Sequence, residues 1–260
     1  MPIIEIPSIK LNKVADVLSF AKKQDAVSDN SPLTFEQLGQ GYGYVLYSRK
    51  FNQGISGTLQ INGLRDYAVV YVDGKKVGVL NRNTKTYSMP ITVPFNATLD
   101  ILVENMGRIN YGSEIVRNTK GIISPVTING EDISGYWSMY KLPMSEVPNF
   151  ENLGNDVFDN VPAKTDRLNG LPIVYEGTFN LEQTGDTFID MESWGKGIIF
   201  INGINIGRYW QVGPQQTLYI PGVWLKKGEN KITIFEQLNN DIKTEVNTVK
   251  TPILTKLNIK

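Results

Sequence analysis

Residues 194–210 read WGKGIIFINGINIGRYW, and this stretch decides the fold. Residues 197–201 form a short apolar run rich in β-branched side chains, which is the composition of a buried strand. Asn202-Gly203 follows, and this dipeptide is the strongest short-range signal for a type I′ hairpin turn, because both central residues take positive φ. Residues 205–209 are then expected to run back as a second strand. The stretch therefore predicts a β-hairpin.

Aromatic residues gather where this hairpin starts and ends, namely Trp194, Tyr209 and Trp210. Such a cluster is typical of a hydrophobic core or an interface, and it is also the composition of a platform on which a sugar ring stacks. The sequence leaves both interpretations open for Trp194 and Trp210.

Composition narrows the function classes. The 260 residues carry 26 basic and 26 acidic side chains, and they include neither His nor Cys. A balanced charge without a basic cluster argues against nucleic acid and against an anionic membrane as partners. The absence of His and Cys excludes disulfides, His-dependent catalytic triads and zinc sites that need these ligands. No calcium-loop or phosphate-loop spacing is present, so neither a metal nor a cofactor is expected.

Working outward from the hairpin, short strands separated by turn residues fill most of the chain. This pattern predicts an all-β fold of antiparallel jelly-roll or β-sandwich modules rather than alternating strands and helices. The expected strands before residue 143 are 42–51, 57–64, 67–72, 76–80, 87–93, 98–104, 122–128 and 137–142. Further β signals run from residue 173 to 235, and 251–257 is one more candidate strand.

The two β-rich regions resemble each other at a nearly constant offset. YVDGKKVG at 71–78 matches FINGINIG at 200–207, and YSRKF at 47–51 matches YEGTF at 175–179. The strand ending at Glu104 aligns with the one ending at Glu236, so these residues are expected to be equivalent and structural. The sequence therefore predicts two copies of one sandwich module.

The ends of the modules follow from the same patterns. Residues 1–30 are predicted to be a connector, 31–135 the first sandwich and 136–260 the second, with residues 3–9 possible as an added strand of the second. Leu11, Val14, Leu18 and Ala21 fit a short helix capped by Asn12, and 22–32 is polar enough for a linker. The strand 137–142 fits either module.

Residues 104–112, ENMGRINYG, form the most unusual polar stretch. Such a loop can bind sugar hydroxyls while Tyr111 stacks on a ring, or it can be a turn in which Arg108 pairs with Glu104. Glycoside hydrolysis needs two facing carboxyls, and Glu104 with Glu114 is the only pair close together within a plausible loop.

These stretches together resemble glycoside hydrolase family 35, the β-galactosidases. The resemblance rests on LTFEQLGQGYGYVLYSRKF, DYAVVYVDGKKVGVLNR, DILVENMGRINYG and DTFIDMESWGKGIIFINGINIGRYWQVGPQQTLYIPGVWL, and it runs from about residue 8 to 236. Enzymes of this family place two catalytic glutamates in an N-terminal (β/α)₈ barrel, followed by galactose-binding-like jelly rolls. This sequence matches only the later part, since no segment alternates strand and helix as a barrel requires.

The resemblance implies that the chain carries no catalytic residue and acts within a retaining β-galactosidase, with the catalytic barrel as intramolecular partner and a β-galactoside as substrate. It implies that the loop around Tyr111 lies at the rim of the substrate pocket, with Tyr111 nearest the sugar and Arg108 and Asn110 fixing the loop. It implies a core and packing role for residues 194–210, and a secreted, periplasmic or lysosome-like location.

Three rival functions stay open at this point. The first is a stand-alone carbohydrate-binding module that uses Tyr111, Trp194 or Trp210 as platforms. The second is a sandwich enzyme in its own right with Glu104 and Glu114 as acid and base. The third is a pure scaffold whose exposed apolar surface drives self-association.

Overall fold

A computed structural model describes residues 1–149, 157–158, 168–238 and 241–258, and it divides the chain into two compact units. Ala21–Ser145 is called here the first sandwich, and Met1–Phe20 with Glu146–Lys260 the second sandwich. The expected division at residues 30 and 135 therefore differs from the observed one, which falls after Phe20 and after Ser145.

Antiparallel strands make up nearly all the regular structure, as the sequence predicts. In chain order the strands are β1 Ile9–Asp16, β2 Ala26–Asp29, β3 Tyr44–Lys50, β4 Ile55–Gln60, β5 Leu64–Arg65, β6 Tyr67–Val72, β7 Lys75–Asn81, β8 Ser88–Val93, β9 Thr98–Glu104, β10 Gly121–Ile122, β11 Thr127–Ile128, β12 Glu131–Asp132, β13 Trp137–Leu142, β14 Val157–Phe158, β15 Ile173–Leu181, β16 Thr187–Asp190, β17 Lys196–Ile201, β18 Ile204–Trp210, β19 Thr217–Ile220, β20 Gly228–Glu236, β21 Glu245–Val246 and β22 Thr248–Val249. A short helix, α1, spans Val17–Lys22, and 3-10 turns occupy Ser113–Arg117 and Gly222–Trp224.

The main sheets of the two units have the same strand order, which confirms the internal repeat. The first sandwich has the order β2-β13-β3-β9-β6-β7, and the second has β14-β1-β15-β20-β17-β18. The hairpin turns correspond as well: Asp73 and Asn202 have φ of 46° and 50°. Each side chain accepts the N–H of the neighbouring strand, from Thr98 at 2.7 Å and from Lys231 at 2.9 Å.

One strand of each sheet comes from a different part of the chain than the repeat alone predicts. In the first sandwich, β3 pairs with β13, which comes after the repeated strands in the sequence. In the second sandwich, β15 pairs with β1, which comes before the repeated strands. Strand 137–142 therefore belongs to the first sandwich. The expected linker 22–32 contains β2, an edge strand paired with β13.

The helix expected across residues 11–21 is wrong over its first half. Residues 11–16 lie in β1 and pair with β15, so the long-range strand pairing prevails over the helical spacing of the apolar residues. The helix begins only at Val17, and its cap is Asp16 instead of Asn12. The Asp16 carboxylate accepts the N–H groups of Leu18 at 2.9 Å and Ser19 at 3.3 Å.

Each sandwich has its own hydrophobic core. In the first, residues of β3, β6 and β9 pack with Phe35, Trp137 and Met139. In the second, residues of β15, β17 and β20 pack with Ile9, Trp194 and Tyr209. Two smaller sheets also contribute core residues: the sheet that pairs β4 with β8 does so in the first sandwich, and the sheet that pairs β16 with β19 does so in the second.

The C-terminal stretch shows how tertiary contacts replace an expected strand. Among the described residues, 251–258 form no strand. They are tied instead by isolated hydrogen bonds, such as the Gln216 N–H to Ile253 O at 2.9 Å. Most of the connection expected at 144–171 lies outside the described residues. No helix within the described ranges is long and apolar enough to cross a membrane.

Candidate functional site

The loop that follows β9 presents an aromatic side chain to solvent. Residues 108–117 are all exposed, and Tyr111 is 91% exposed at the tip. Ile109, Ile115 and Val116 are exposed apolar neighbours along the same loop. Burying such groups is favourable, so this loop offers a surface that gains free energy when something covers it.

The base of this loop is held by one asparagine. Asn105 is 2% exposed, and its Nδ2 donates to Gly41 O at 2.9 Å. Its Oδ1 accepts the Gly107 N–H at 3.0 Å, and its own N–H donates to Gly43 O at 3.1 Å. The chain therefore leaves the sheet in a fixed direction.

A second set of contacts clamps the middle of the loop. The Arg108 guanidinium lies 2.6 Å from the Glu36 carboxylate and also donates to Asn118 O at 2.9 Å. The Asn118 side-chain oxygen accepts the Ile109 N–H at 3.0 Å. Arg108 thus pairs with Glu36 instead of Glu104, the partner weighed from the sequence. The Arg108 side chain therefore links residue 108 to Glu36 and to Asn118.

Glu36 also reaches the residue at the far end of the loop. Its two carboxylate oxygens receive the Lys120 N–H at 3.1 and 3.3 Å. Desolvation on its own would raise the pKa of Glu36, but the Lys120 N–H and the Arg108 guanidinium outweigh it and hold that pKa below its usual value.

A buried ion pair lies beneath the loop. The Asp66 carboxylate accepts the Lys120 ammonium at 2.6 Å, the Met106 N–H at 3.0 Å and Arg82 at 2.9 Å. Asp66 and Lys120 are 5% and 2% exposed. Burial lowers the pKa of Lys120, although Asp66 opposes that shift. Sequence reasoning missed this pair and Glu36, because no spacing pattern relates residues 36, 66 and 120.

The structure gives the predicted residues Arg108, Asn110 and Tyr111 different environments on one loop. All three are exposed, but the Arg108 side chain is held in an ion pair with Glu36. Tyr111 is thus an accessible aromatic group on a restrained backbone. Gly112, which follows it, has φ of 98° and no atom within 4 Å of the position of a Cβ, so backbone conformation favours glycine there.

The aromatic cluster of the second sandwich is interior. Trp194 is 3% exposed and packs edge-on against Tyr175 at 5.4 Å and Tyr209 at 6.3 Å between ring centroids. A sugar therefore has no open face of Trp194 on which to stack. Trp210 is half-buried, and the Lys196 ammonium lies 4.6 Å from its ring centroid.

A buried carboxylate joins this cluster to the sheet. Glu236 is 2% exposed and accepts the N–H groups of Gly195 at 2.8 Å, Lys196 at 3.0 Å and Leu238 at 2.8 Å. The Tyr209 hydroxyl donates to it at 3.2 Å. Burial raises the pKa of Glu236 against the effect of these four donors. Its hydrogen bonds make Glu236 a structural group of the strand ends.

The expected equivalence of Glu104 and Glu236 is wrong by one residue. Glu236 lies two residues from Ile234 and so faces the core of its sandwich, whereas Glu104 follows the core residue Val103 and faces the opposite side. Glu104 is 1% exposed, while the Glu114 side chain is 64% exposed beside Arg117. A carboxyl as inaccessible as Glu104 cannot reach a substrate, which removes support for this pair as acid and base.

Comparison with known proteins identifies the relatives of both units. Residues 32–143 match the family model of the β-galactosidase first all-β domain, and residues 172–230 match that of the β-galactosidase galactose-binding domain. Beta-galactosidase 1 of Dictyostelium discoideum is 34% identical over 244 residues, covering 87% of this chain and 35% of the relative. Beta-galactosidase-1-like protein 3 of Homo sapiens is 37% identical over 238 residues, covering 88% and 35%.

A third β-galactosidase and a solved structure were also found to be similar to this chain. Beta-galactosidase of Mus musculus is 37% identical over 246 residues, covering 87% of this chain and 37% of the relative. The chain thus spans about a third of the length of these curated relatives. A GH2 β-galacturonidase of Eisenbergiella tayi bound to galacturonate aligns over 88% of this chain and 36% of that one, with a TM-score of 0.30 and 15% identity.

Proposed function

The chain belongs to the β-galactosidases through two of their β-rich domains, and on that premise we propose that it is the non-catalytic C-terminal part of a retaining family 35 enzyme. The whole enzyme hydrolyses terminal β-galactosides with two glutamates of a (β/α)₈ barrel. The first sandwich supports that barrel and contributes the loop of Arg108, Asn110 and Tyr111 to the rim of the substrate pocket, on the aglycone side.

One observation carries this proposal: an exposed tyrosine stands on a loop that many polar contacts restrain. Tyr111 is 91% exposed, yet the loop on either side of it is tied to Glu36, Gly41, Asp66 and Asn118. Fixing a backbone costs conformational entropy, and a rigid aromatic group reduces the entropy cost of binding a ligand against it. A rim that selects substrates needs a side chain of this kind.

The test compares two exposed tyrosines of the first sandwich in the enzyme that contains this chain and its barrel. Tyr111→Ala removes the proposed rim contact, and Tyr136→Ala is the matched control, since Tyr136 is 85% exposed in another loop. The assay measures kcat/KM for a nitrophenyl galactoside and for two galactosyl disaccharides of different linkage. We expect Tyr111→Ala to change the ratios between substrates several-fold, while Tyr136→Ala leaves them unchanged. Equal ratios in both variants would refute the rim role.

A carbohydrate-binding module is the second candidate, and one observation favours it. Residues 172–230 match a family model described as a galactose-binding domain. Trp210 is the accessible candidate platform there, because Trp194 is buried. Titrating the chain with galactose while recording tryptophan fluorescence tests this function. A saturable change that is lost in Trp210→Ala supports the module, and an unchanged spectrum at molar galactose contradicts it.

A further inference from the structure

We propose that the first sandwich binds a neutral saccharide in a groove that is separate from the Tyr111 loop. The groove has a volume of about 500 Å³, which lies within the range of about 300–1,000 Å³ that is typical of small-molecule sites. Its lining includes Asp25, Gln40, Gly41, Tyr42, Lys141 and Pro143. This inference does not depend on the proposed role in a galactosidase.

The groove is preformed, because its floor is tied together by side-chain hydrogen bonds. Gln40 is 5% exposed, and its Nε2 donates to Tyr42 O at 2.7 Å and to Tyr44 O at 2.8 Å. The Asn105 side chain holds Gly41 O at 2.9 Å. Lys141, in β13, and Pro143, directly after it, also line the groove, and β13 is held by its pairing with β3. A ligand therefore meets a site that costs little free energy to organise.

Gly41 is a lining residue of the groove at which a side chain can be introduced. A Cβ added there would meet no atom within 4 Å, and its φ lies outside the left-handed range. Gly43, by contrast, has φ of 86° and would bring a Cβ to within 2.3 Å of Leu142 O. Neither crowding nor backbone strain thus requires a glycine at 41. A larger side chain at this lining position therefore changes the groove without a clash at its Cβ, which makes residue 41 a suitable place to test it.

The chemistry of the lining selects the class of ligand. Asp25 and Lys141 carry opposite charges, so their fields partly cancel and the groove favours a neutral polar ligand over an anion or a cation. A carboxylate, an ammonium and the nearby Gln24 amide together supply acceptors and donors for hydroxyl groups. Tyr42 and Pro143 add apolar surface against which the C–H face of a pyranose ring packs. A pyranose combines these features.

The experiment titrates the 260-residue chain with lactose and follows binding by calorimetry and by saturation-transfer NMR. Gly41→Leu adds a bulky side chain to the lining with no atom within 4 Å of its Cβ, and Asp25→Asn removes one charge from an exposed position. We expect weak lactose binding by the parent chain, at least tenfold weaker binding by Gly41→Leu and several-fold weaker binding by Asp25→Asn. All three proteins should share one melting temperature, which shows that the variants fold.

Three results would overturn the groove as a saccharide site. They are no lactose binding by the parent chain, binding that Gly41→Leu and Asp25→Asn leave unchanged, and binding that is lost in Tyr111→Ala or Trp210→Ala while both groove variants retain it. The last result places the sugar on a platform described above. The rim role of Tyr111 is measured separately through substrate ratios of the whole enzyme, so either idea can fail without the other.

Discussion

We predict that removing Asp66 lowers the free energy of unfolding more than removing Lys120, although the two residues form one buried ion pair. Asp66 has three donors, Lys120, Arg82 and the Met106 N–H, whereas the Lys120 side chain is 3% exposed and has Asp66 as its charged partner. Asp66→Ala leaves a buried ammonium without its counter-charge. Lys120→Met leaves a carboxylate that Arg82 and a backbone N–H still compensate, and it replaces a long side chain by an apolar one of similar shape.

The magnitudes follow from that difference. Removing one partner of a buried ion pair costs about 3–5 kcal/mol when the other charge is left uncompensated. Losing one hydrogen bond to a charged group that keeps other partners costs about 1.5–3 kcal/mol. We therefore expect Asp66→Ala to destabilise the first sandwich more than Lys120→Met does. The double variant should be more stable than Asp66→Ala, because it no longer buries an unpaired charge.

The assay is urea unfolding, detected through amide hydrogen exchange in peptides from β3, β6 and β9. It measures the free energy of unfolding of the first sandwich separately from that of the second. A pH series adds an independent check. Burial lowers the pKa of Lys120, so between the folded and unfolded pKa values the unfolded chain binds more protons, and stability must rise with pH. That rise should be steeper in Asp66→Ala than in the parent. Equal costs for the two single variants, or a cost below about 1 kcal/mol for Asp66→Ala, would refute the reasoning.

Three further predictions concern single residues. The pKa of Glu36 is lowered from 4.5, so the ionised carboxylate stabilises the folded protein above pH 4.5, and this stabilisation is lost as the pH falls through the folded pKa. Between pH 6 and 3.5, the melting temperature should therefore drop less in Glu36→Gln than in the parent. Trp194→Ala should cost the second sandwich about 3–5 kcal/mol in urea unfolding by emptying a packed site, and a wild-type midpoint would contradict its place in the core. Asn202→Ala should destabilise the second sandwich more than Asn202→Gly in the same assay, since both lose the hydrogen bonds to Trp224, Asn230 and Lys231 but only alanine also strains a φ of 50°.

Much of the fold follows from local patterns in the sequence. Alternating or continuous apolar runs mark the strands, and the Asp-Gly and Asn-Gly turns mark the hairpins at Asp73 and Asn202, where φ is positive. The repeat could be predicted for the same reason, because the two modules use the same turn at the same place. The site was only partly predictable. The loop of Arg108 and Tyr111 stands out in the sequence as an unusual run of polar residues after an apolar strand.

Partners distant in sequence could not be predicted. Nothing in a local pattern relates Glu36 to Arg108 or Asp66 to Lys120, because a salt bridge requires proximity in space and leaves no periodicity along the chain. The error over Glu104 has a related cause. A shift of one residue in aligning the repeats moves a side chain to the other face of its sheet, and only the observed pairing fixes that register.

The sequence by itself determined that this protein is built from antiparallel strands in two related modules, since strand patterns and turn residues act over a few neighbouring residues. Only the tertiary structure decided which strand completes each sheet. Residues 11–16 lie in the stretch whose apolar spacing predicts a helix, but they belong to β1, because pairing with β15 satisfies backbone groups of this segment and Leu11 is buried. Residues 137–142 pair with β3 for the same reason. Backbone groups need partners, and which partners are available is a property of the assembled fold.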